Sequence, residues 1–186
     1  MVVRNLVIKA KVMMLLLSFV ACYVYLNSSI VLSQVSKSQI TTVILVRHAE
    51  KAKSNDNNPN LSKIGQQRAK ALAQILKDAS INAIYATEFT RTQETAKPLS
   101  EITSIPITII EARSTDKLVD EIKNKHKGEN ILIVGHSNTL SSIIEKLGKT
   151  KIQEIDESEY DNLFILNINE NANAKLLNLK YASAIK

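Results

Sequence analysis

The sequence predicts an α/β fold of three layers, a mostly parallel central sheet with helices on both faces. Three observations lead there. Short, β-branched apolar runs alternate with segments of helical periodicity from about residue 42 onward. The first run, Thr42-Val43-Ile44-Leu45-Val46, is apolar on successive residues, as a strand buried on both faces is. The chain of 186 residues with 45% hydrophobic and 23% charged content is long and apolar enough for one real core.

The elements follow in order. After the first strand, Ser54 to Asn60 is a polar loop by composition. Ser62 can cap a helix to about Asp78, with Ile64, Ala71, Leu72, Ile75 and Leu76 on one face. Ala83 to Ala86 is a second strand, and the helix after it should run through Thr95 and stop before Pro98. Ile107 to Ile110 is a third strand, and Thr115 to Lys125 a polar-faced helix. Asn130 to Val134 is a fourth strand, and Gly135-His136-Ser137-Asn138 turns into a helix carrying Leu140, Ile143, Ile144 and Leu147. Leu163 to Ile168 and Lys175 to Tyr181 form a strand pair around the turn Asn169 to Asn173.

The first thirty-odd residues have a different character. Arg4, Lys9 and Lys11 precede the uncharged, mostly apolar run Val12 to Leu26. That is the layout of a secretory signal, and the run is shorter than the about 20 residues a membrane span needs. Residues 1–33 therefore read as a signal peptide cut before Gln34. The alternatives are an N-terminal anchor tethering the protein to a membrane through residues 12–32, or a lipoprotein box around Cys22. All three predict export, with residues 34–186 as the folded domain.

Formal net charge is +6, and half of it lies in that leader, so charge gives no case for nucleic acid as a partner. A single cysteine excludes a disulfide framework and a cysteine-rich zinc site.

In sheets of this kind, ligands bind beyond the carboxyl ends of the strands. Arg47-His48 follows the first strand directly, Gly135-His136 the fourth, and Arg91 comes just after the second. Two guanidinium groups on one rim crowd each other unless an anion lies between them, and their planar forks match phosphate oxygens. A neutral histidine among them can attack phosphorus, and a second can stabilise the oxyanions. The set predicts phosphoryl chemistry with no metal and no cofactor.

Four segments resemble the histidine phosphatase (phosphoglycerate mutase-like) superfamily, in its small, lid-poor form. Val46-Arg47-His48-Ala49-Glu50 is similar to its Arg-His-Gly signature. Leu61-Ser62-Lys63-Ile64-Gly65-Gln66-Gln67-Arg68-Ala69 is similar to a helix start in which Gln stands where this chain has Arg68. Tyr85 to Thr95 resembles its Ser-x-x-x-Arg-x-x-x-Thr segment, and Leu132 to Ser137 its second-histidine strand. The resemblance implies that His48 becomes phosphorylated, that Arg47, Arg91 and His136 hold the phosphate, and that a carboxyl group after the third strand protonates the leaving oxygen. Glu111 occupies that place, with Asp116, Glu50 and Glu88 as alternatives. The implied substrate is a phosphomonoester, on a small molecule or a phosphoprotein. Ala49 stands where Gly is usual, which predicts φ below zero there. Thr87 replaces Ser and keeps the hydroxyl.

Three other readings compete with this one. An esterase elbow at Gly135-His136-Ser137 fails because no histidine follows His136. A metal hydrolase lacks locally spaced ligands, and His126 suits a helix C-terminus next to Gly128. A non-catalytic binder of phosphorylated ligands would need the cations but not Glu111.

Overall fold

In the computed structural model, residues 11, 13–23, 39–183 and 185 are described, and the chain forms two units, Met1–Ser38 and Gln39–Lys186. In the first unit, α1 (residues 13–23) is an exposed helix. The remainder of the expected leader, including the cut before Gln34, lies outside the described residues. Among the described residues no helix is long and apolar enough to cross a membrane.

The second unit carries the alternation the sequence predicts: β1 (Thr41–Arg47), α2 (Lys63–Leu76), β2 (Ile81–Thr87), α3 (Thr90–Thr103), β3 (Ile107–Ile110), α4 (Thr115–Lys125), β4 (Asn130–Gly135), α5 (Ser137–Gly148), β5 (Asn162–Ile168) and β6 (Ala174–Lys180). The strands form one sheet in the order β3-β2-β4-β1-β5-β6. β1 to β4 pair in parallel, and β5 and β6 are added antiparallel at one side.

Alternation along the strands divides the core into two layers. Val43, Leu45, Ile131 and Ile133 face α4 and α5, where Leu118, Ile122, Leu140 and Ile144 pack. Ile44, Val46, Leu132 and Val134 face α2 and α3, where Leu72, Leu76, Ala96 and Leu99 pack. Both faces of β1 and β4 are thus buried, which is why their sequences are apolar throughout rather than alternating.

Two local features of α2 follow from its entry. Ser62 accepts the Gly65 N–H at 3.0 Å, the expected cap. A Cβ at Gly65 would lie 2.2 Å from the Glu50 carbonyl oxygen, so only glycine lets the helix start pack on the chain leaving β1.

The expectation that α3 stops before Pro98 is incorrect. The helix runs through Pro98 to Thr103 and ends at Ser104 in the left-handed conformation. An interior proline costs about 3 kcal/mol through a lost hydrogen bond and a steric clash. Ala96 and Leu99, both fully buried, straddle it, and burying Leu99 alone offsets roughly 1.5–3 kcal/mol of that.

Candidate active site

β1 and β4 are adjacent and parallel, yet the helices that follow them leave to opposite faces: α2 packs in one core layer and α5 in the other. Such a divergence opens a crevice at the strand ends. The His48 N–H donates to the Gly135 carbonyl at 2.9 Å, which carries the ladder one residue beyond the strand and fixes His48 at the crevice floor. His48 is 4% exposed, and its Nδ1 donates to the Ala49 carbonyl at 2.8 Å. With the proton on Nδ1, Nε2 keeps its lone pair.

Ala49 is buried and is not among the residues with positive φ, as its methyl group requires. Its N–H donates to Thr95 Oγ1 at 2.9 Å, and that hydroxyl donates to the Arg91 carbonyl at 2.7 Å. Thr95 thereby ties the turn carrying His48 to the first turn of α3, where Arg91 lies.

His136 is the N-cap of α5. Thr139 Oγ1 accepts the His136 N–H at 2.9 Å, and the Thr139 N–H donates to Asn138 Oδ1 at 2.9 Å, which pins the start of the helix. The His136 Nε2 meets Thr87 Oγ1 at 3.0 Å, a hydroxyl also paired with Thr92. The two histidine rings stand edge to face with centroids 5.4 Å apart, and Phe89 packs on His136. Burial, with Arg47 and Arg91 adding to it, lowers His48 to about 3 against the hydrogen bond to Ala49. Burial first and Arg91 second lower His136 to about 4. Both rings are neutral at neutral pH, the state a histidine nucleophile needs.

The arginines complete the wall. Arg47 is 2% exposed. Its Nη1 donates to the carbonyls of Asp156, Glu157 and Glu159, its Nη2 pairs with the Glu157 carboxylate at 2.5 Å, and Tyr160 covers the guanidinium at 4.4 Å. Arg91 lies over the Phe89 ring at 4.4 Å, and burial and the charge of Arg47 pull its pKa down from the usual arginine value. Asn58, from the polar loop, takes the Thr90 N–H and so caps the helix that delivers Arg91. In both arginines Nε is buried without a protein partner. Buried donors of this kind are rare, and here two of them stand with both histidines on a cavity of about 630 Å³.

The profile of the histidine phosphatase superfamily (branch 1) matches residues 43–114 and 110–180. The chain belongs to the histidine phosphatase superfamily. No curated protein sequence matches it. Solved structures with the same fold include mycobacterial glucosyl-3-phosphoglycerate phosphatase with inorganic phosphate (14% identity, 78% of this chain and 99% of that one, TM-score 0.63). The α-ribazole phosphatase from Shigella flexneri aligns at 19% identity over 75% of this chain and 96% of its own, with TM-score 0.61. The protein histidine phosphatase SixA with tungstate aligns at 13% identity over 75% and 96%, with TM-score 0.60.

In this member of the superfamily, Arg47, His48, Arg91 and His136 are brought together at one cavity, and Glu111 is not among the residues lining it. The Glu111 side chain is 58% exposed and pairs with Arg113 at 2.9 Å, leaving Ala112 and Arg113 to line the cavity. The alternatives are also engaged. Asp116 pairs with Lys146, Glu50 with the buried Arg68, and Glu88 accepts the Ala112 N–H at 2.7 Å. His126 caps α4 at the other end of the sheet. Glu157, Tyr160 and Ser137 escaped the sequence reading as site residues. Ser137 followed a recognised motif, but the segment between α5 and β5 has no periodicity or motif to mark Glu157 and Tyr160.

Proposed function

We propose that this protein is a phosphoric monoester hydrolase that works through a phosphohistidine on His48, without a metal. The single observation carrying this is the neutral His48 ring, its Nδ1 proton fixed on Ala49, beside two arginines whose buried Nε–H groups lack partners. Those donors match the oxygens of a phosphoryl group. His48 Nε2 attacks phosphorus, the P–O bond to the leaving oxygen breaks, and water then cleaves the P–N bond to release phosphate and restore the ring. Arg47, Arg91, His136 and the N-terminus of α5 stabilise the charge on the phosphoryl oxygens as it moves. The phosphatases named above support the substrate class, a phosphorylated small molecule or protein.

An aryl phosphate tests this directly, because its leaving oxygen departs without a proton donor. Turnover with excess chelator, lost in His48→Ala, is the expected result. Turnover that survives in His48→Ala overturns the mechanism, and loss with chelator restores a metal.

The position of Glu111 favours one second reading, a non-catalytic binder of phosphorylated ligands on the same fold. Phosphate binding with no turnover of any phosphomonoester would establish it. We also place the protein outside the cytoplasm, on the strength of its basic, then apolar leader. Fractionation of cells with N-terminal sequencing of the product checks that.

A further inference from the structure

The residue that meets Arg47 Nη2 in this structure is Glu157. The segment carrying it is a tight turn: Ser158 N–H donates to Asp156 Oδ1 at 2.8 Å and Glu159 N–H to the Asp156 carbonyl at 2.9 Å. That turn converges the carbonyls of residues 156, 157 and 159 on Arg47 Nη1 and leaves the Glu157 side chain directed at the cavity. One carboxylate oxygen pairs with Arg47 Nη2, and the other accepts from Ser137 Oγ at 2.7 Å, on the first residue of α5. An arginine fork on one side and a hydroxyl at a helix N-terminus on the other make an arrangement suited to an anion, and a carboxylate occupies it. The same side chain is 75% exposed, so little packing is lost when it leaves.

We propose that Glu157 is a resident anion of the phosphate site. It holds Arg47 Nη2 and Ser137 Oγ until an incoming phosphoryl group displaces it, and so sets the affinity of the site for phosphate. This rests on the phosphatase reading given above. Substrate oxygens take over Arg47 Nη2 and Ser137 Oγ, while Glu157 swings toward solvent. The backbone strap of residues 156–159 stays on Nη1, because its carbonyls are independent of the carboxylate. A site occupied nine-tenths of the time by its own carboxylate binds phosphate about tenfold more weakly than one that is free. Every anion that displaces Glu157 meets the same penalty, so the device sets the phosphate concentration at which the site fills.

The test is binding of inorganic phosphate to the full chain by calorimetry, beside KM and kcat on an aryl phosphate. Glu157→Gln is expected to bind phosphate about tenfold tighter, with KM lowered in parallel. Glu157→Asp, which keeps the charge but shortens the reach, is expected to tighten binding as well. Glu157→Ala, which removes the carboxylate and leaves Ser137 Oγ and the strap in place, carries the test if Glu157→Gln does not fold. Equal phosphate affinity in wild type and variants overturns the proposal and leaves the phosphatase reading standing. Tighter binding in Glu157→Gln but not in Glu157→Asp assigns the effect to charge alone and overturns occupancy of the site. A fall in kcat for alkyl but not aryl phosphates at unchanged phosphate affinity makes Glu157 a proton donor instead. Absence of phosphate binding in every form removes the phosphate site itself, and the proposal with it.

Discussion

His126 and His48 stand at opposite ends of one sheet, and both are next to strand ends. At the amino-terminal end, His126 Nδ1 meets Glu129 at 2.6 Å and Nε2 meets Tyr85 Oη at 2.8 Å, while Thr41 bridges its carbonyl and the Gly128 N–H. Burial, with Glu121 and Glu129, pushes Tyr85 up to about 12, so the phenol keeps its proton for that contact. Both ring nitrogens are used. At the carboxyl-terminal end, His48 uses only Nδ1, and Arg47 and Arg91 each retain a buried donor. The arginines repeat the contrast. Arg68 directs its donors to Glu50 and to the carbonyls of Tyr181, Ala182 and Ile185, which fastens the end of the chain to α2. Tyr181 Oη beside Arg68 is also buried without a partner, so what sets Arg47 and Arg91 apart is that both residues also line the cavity with the two histidines.

Four experiments would break or sharpen this contrast. The largest expected effect is on the two histidines. His48→Ala should reduce turnover of an aryl phosphate to background. His126→Ala should leave kcat unchanged and lower unfolding stability by about 1–3 kcal/mol, because Tyr85 and Glu129 lose their shared partner. Equal kinetic damage from both would erase the distinction between the two ends.

The arginines come next. Arg91→Ala should lower kcat/KM by about 10²- to 10³-fold with a near-native urea midpoint. Arg68→Ala should do the reverse, costing about 1.5–3 kcal/mol because the partly buried Glu50 and the carbonyls at the end of the fold lose their donor. Urea unfolding and steady-state kinetics on the same preparations separate the two.

Acid should act through the active-site end. His48 and His136 are lowered to about 3 and about 4 when folded, against an ordinary value of 6.5. The unfolded chain therefore takes up protons first as pH falls. Their contribution to stability is constant above about pH 6.5 and is lost progressively as pH falls from there, to about 4 for His136 and about 3 for His48. Urea midpoints at pH 8 and pH 5 should show the drop, and His48→Ala should show a shallower one.

The smallest effect is thermal. Inorganic phosphate at ten times its Kd should stabilise the wild type by about 1.4 kcal/mol, read as a rise in Tm. The same phosphate should give no rise in a variant lacking both Arg47 and Arg91.

Much of the fold was legible from residue order. β1 and β4 are unbroken apolar runs because both of their faces are buried, and Ser62 and Gly65 mark where α2 begins. Pro98 misled, since a local rule ends a helix there while the burial of Ala96 and Leu99 keeps it going. At the site, Arg47, His48, Arg91 and His136 were visible because each sits at or just beyond a strand end, and strand ends of a parallel sheet meet on one rim. The same reasoning expects Glu111 at that rim, and its side chain is turned to Arg113 rather than into the cavity lining. Position after β3 fixes where a backbone emerges, and the direction of the side chain is left to its neighbours, here Arg113.

Arg68 shows the division most clearly. As a sequence it is a departure from the family pattern. In three dimensions it pairs with Glu50, two residues beyond His48, and gathers the carbonyls of a segment more than a hundred positions away. Glu157 and Tyr160 are the same case on the other side of the sheet end, brought to Arg47 by a turn with no motif. By itself the sequence determined the alternation of strands and helices, the two-layered core and the rim on which the cations and histidines gather. Those depend on local periodicity and on the handedness of parallel crossovers. Only the tertiary structure decided which donors are satisfied and which are left for a ligand, because that depends on contacts between segments whose spacing in sequence carries no signal.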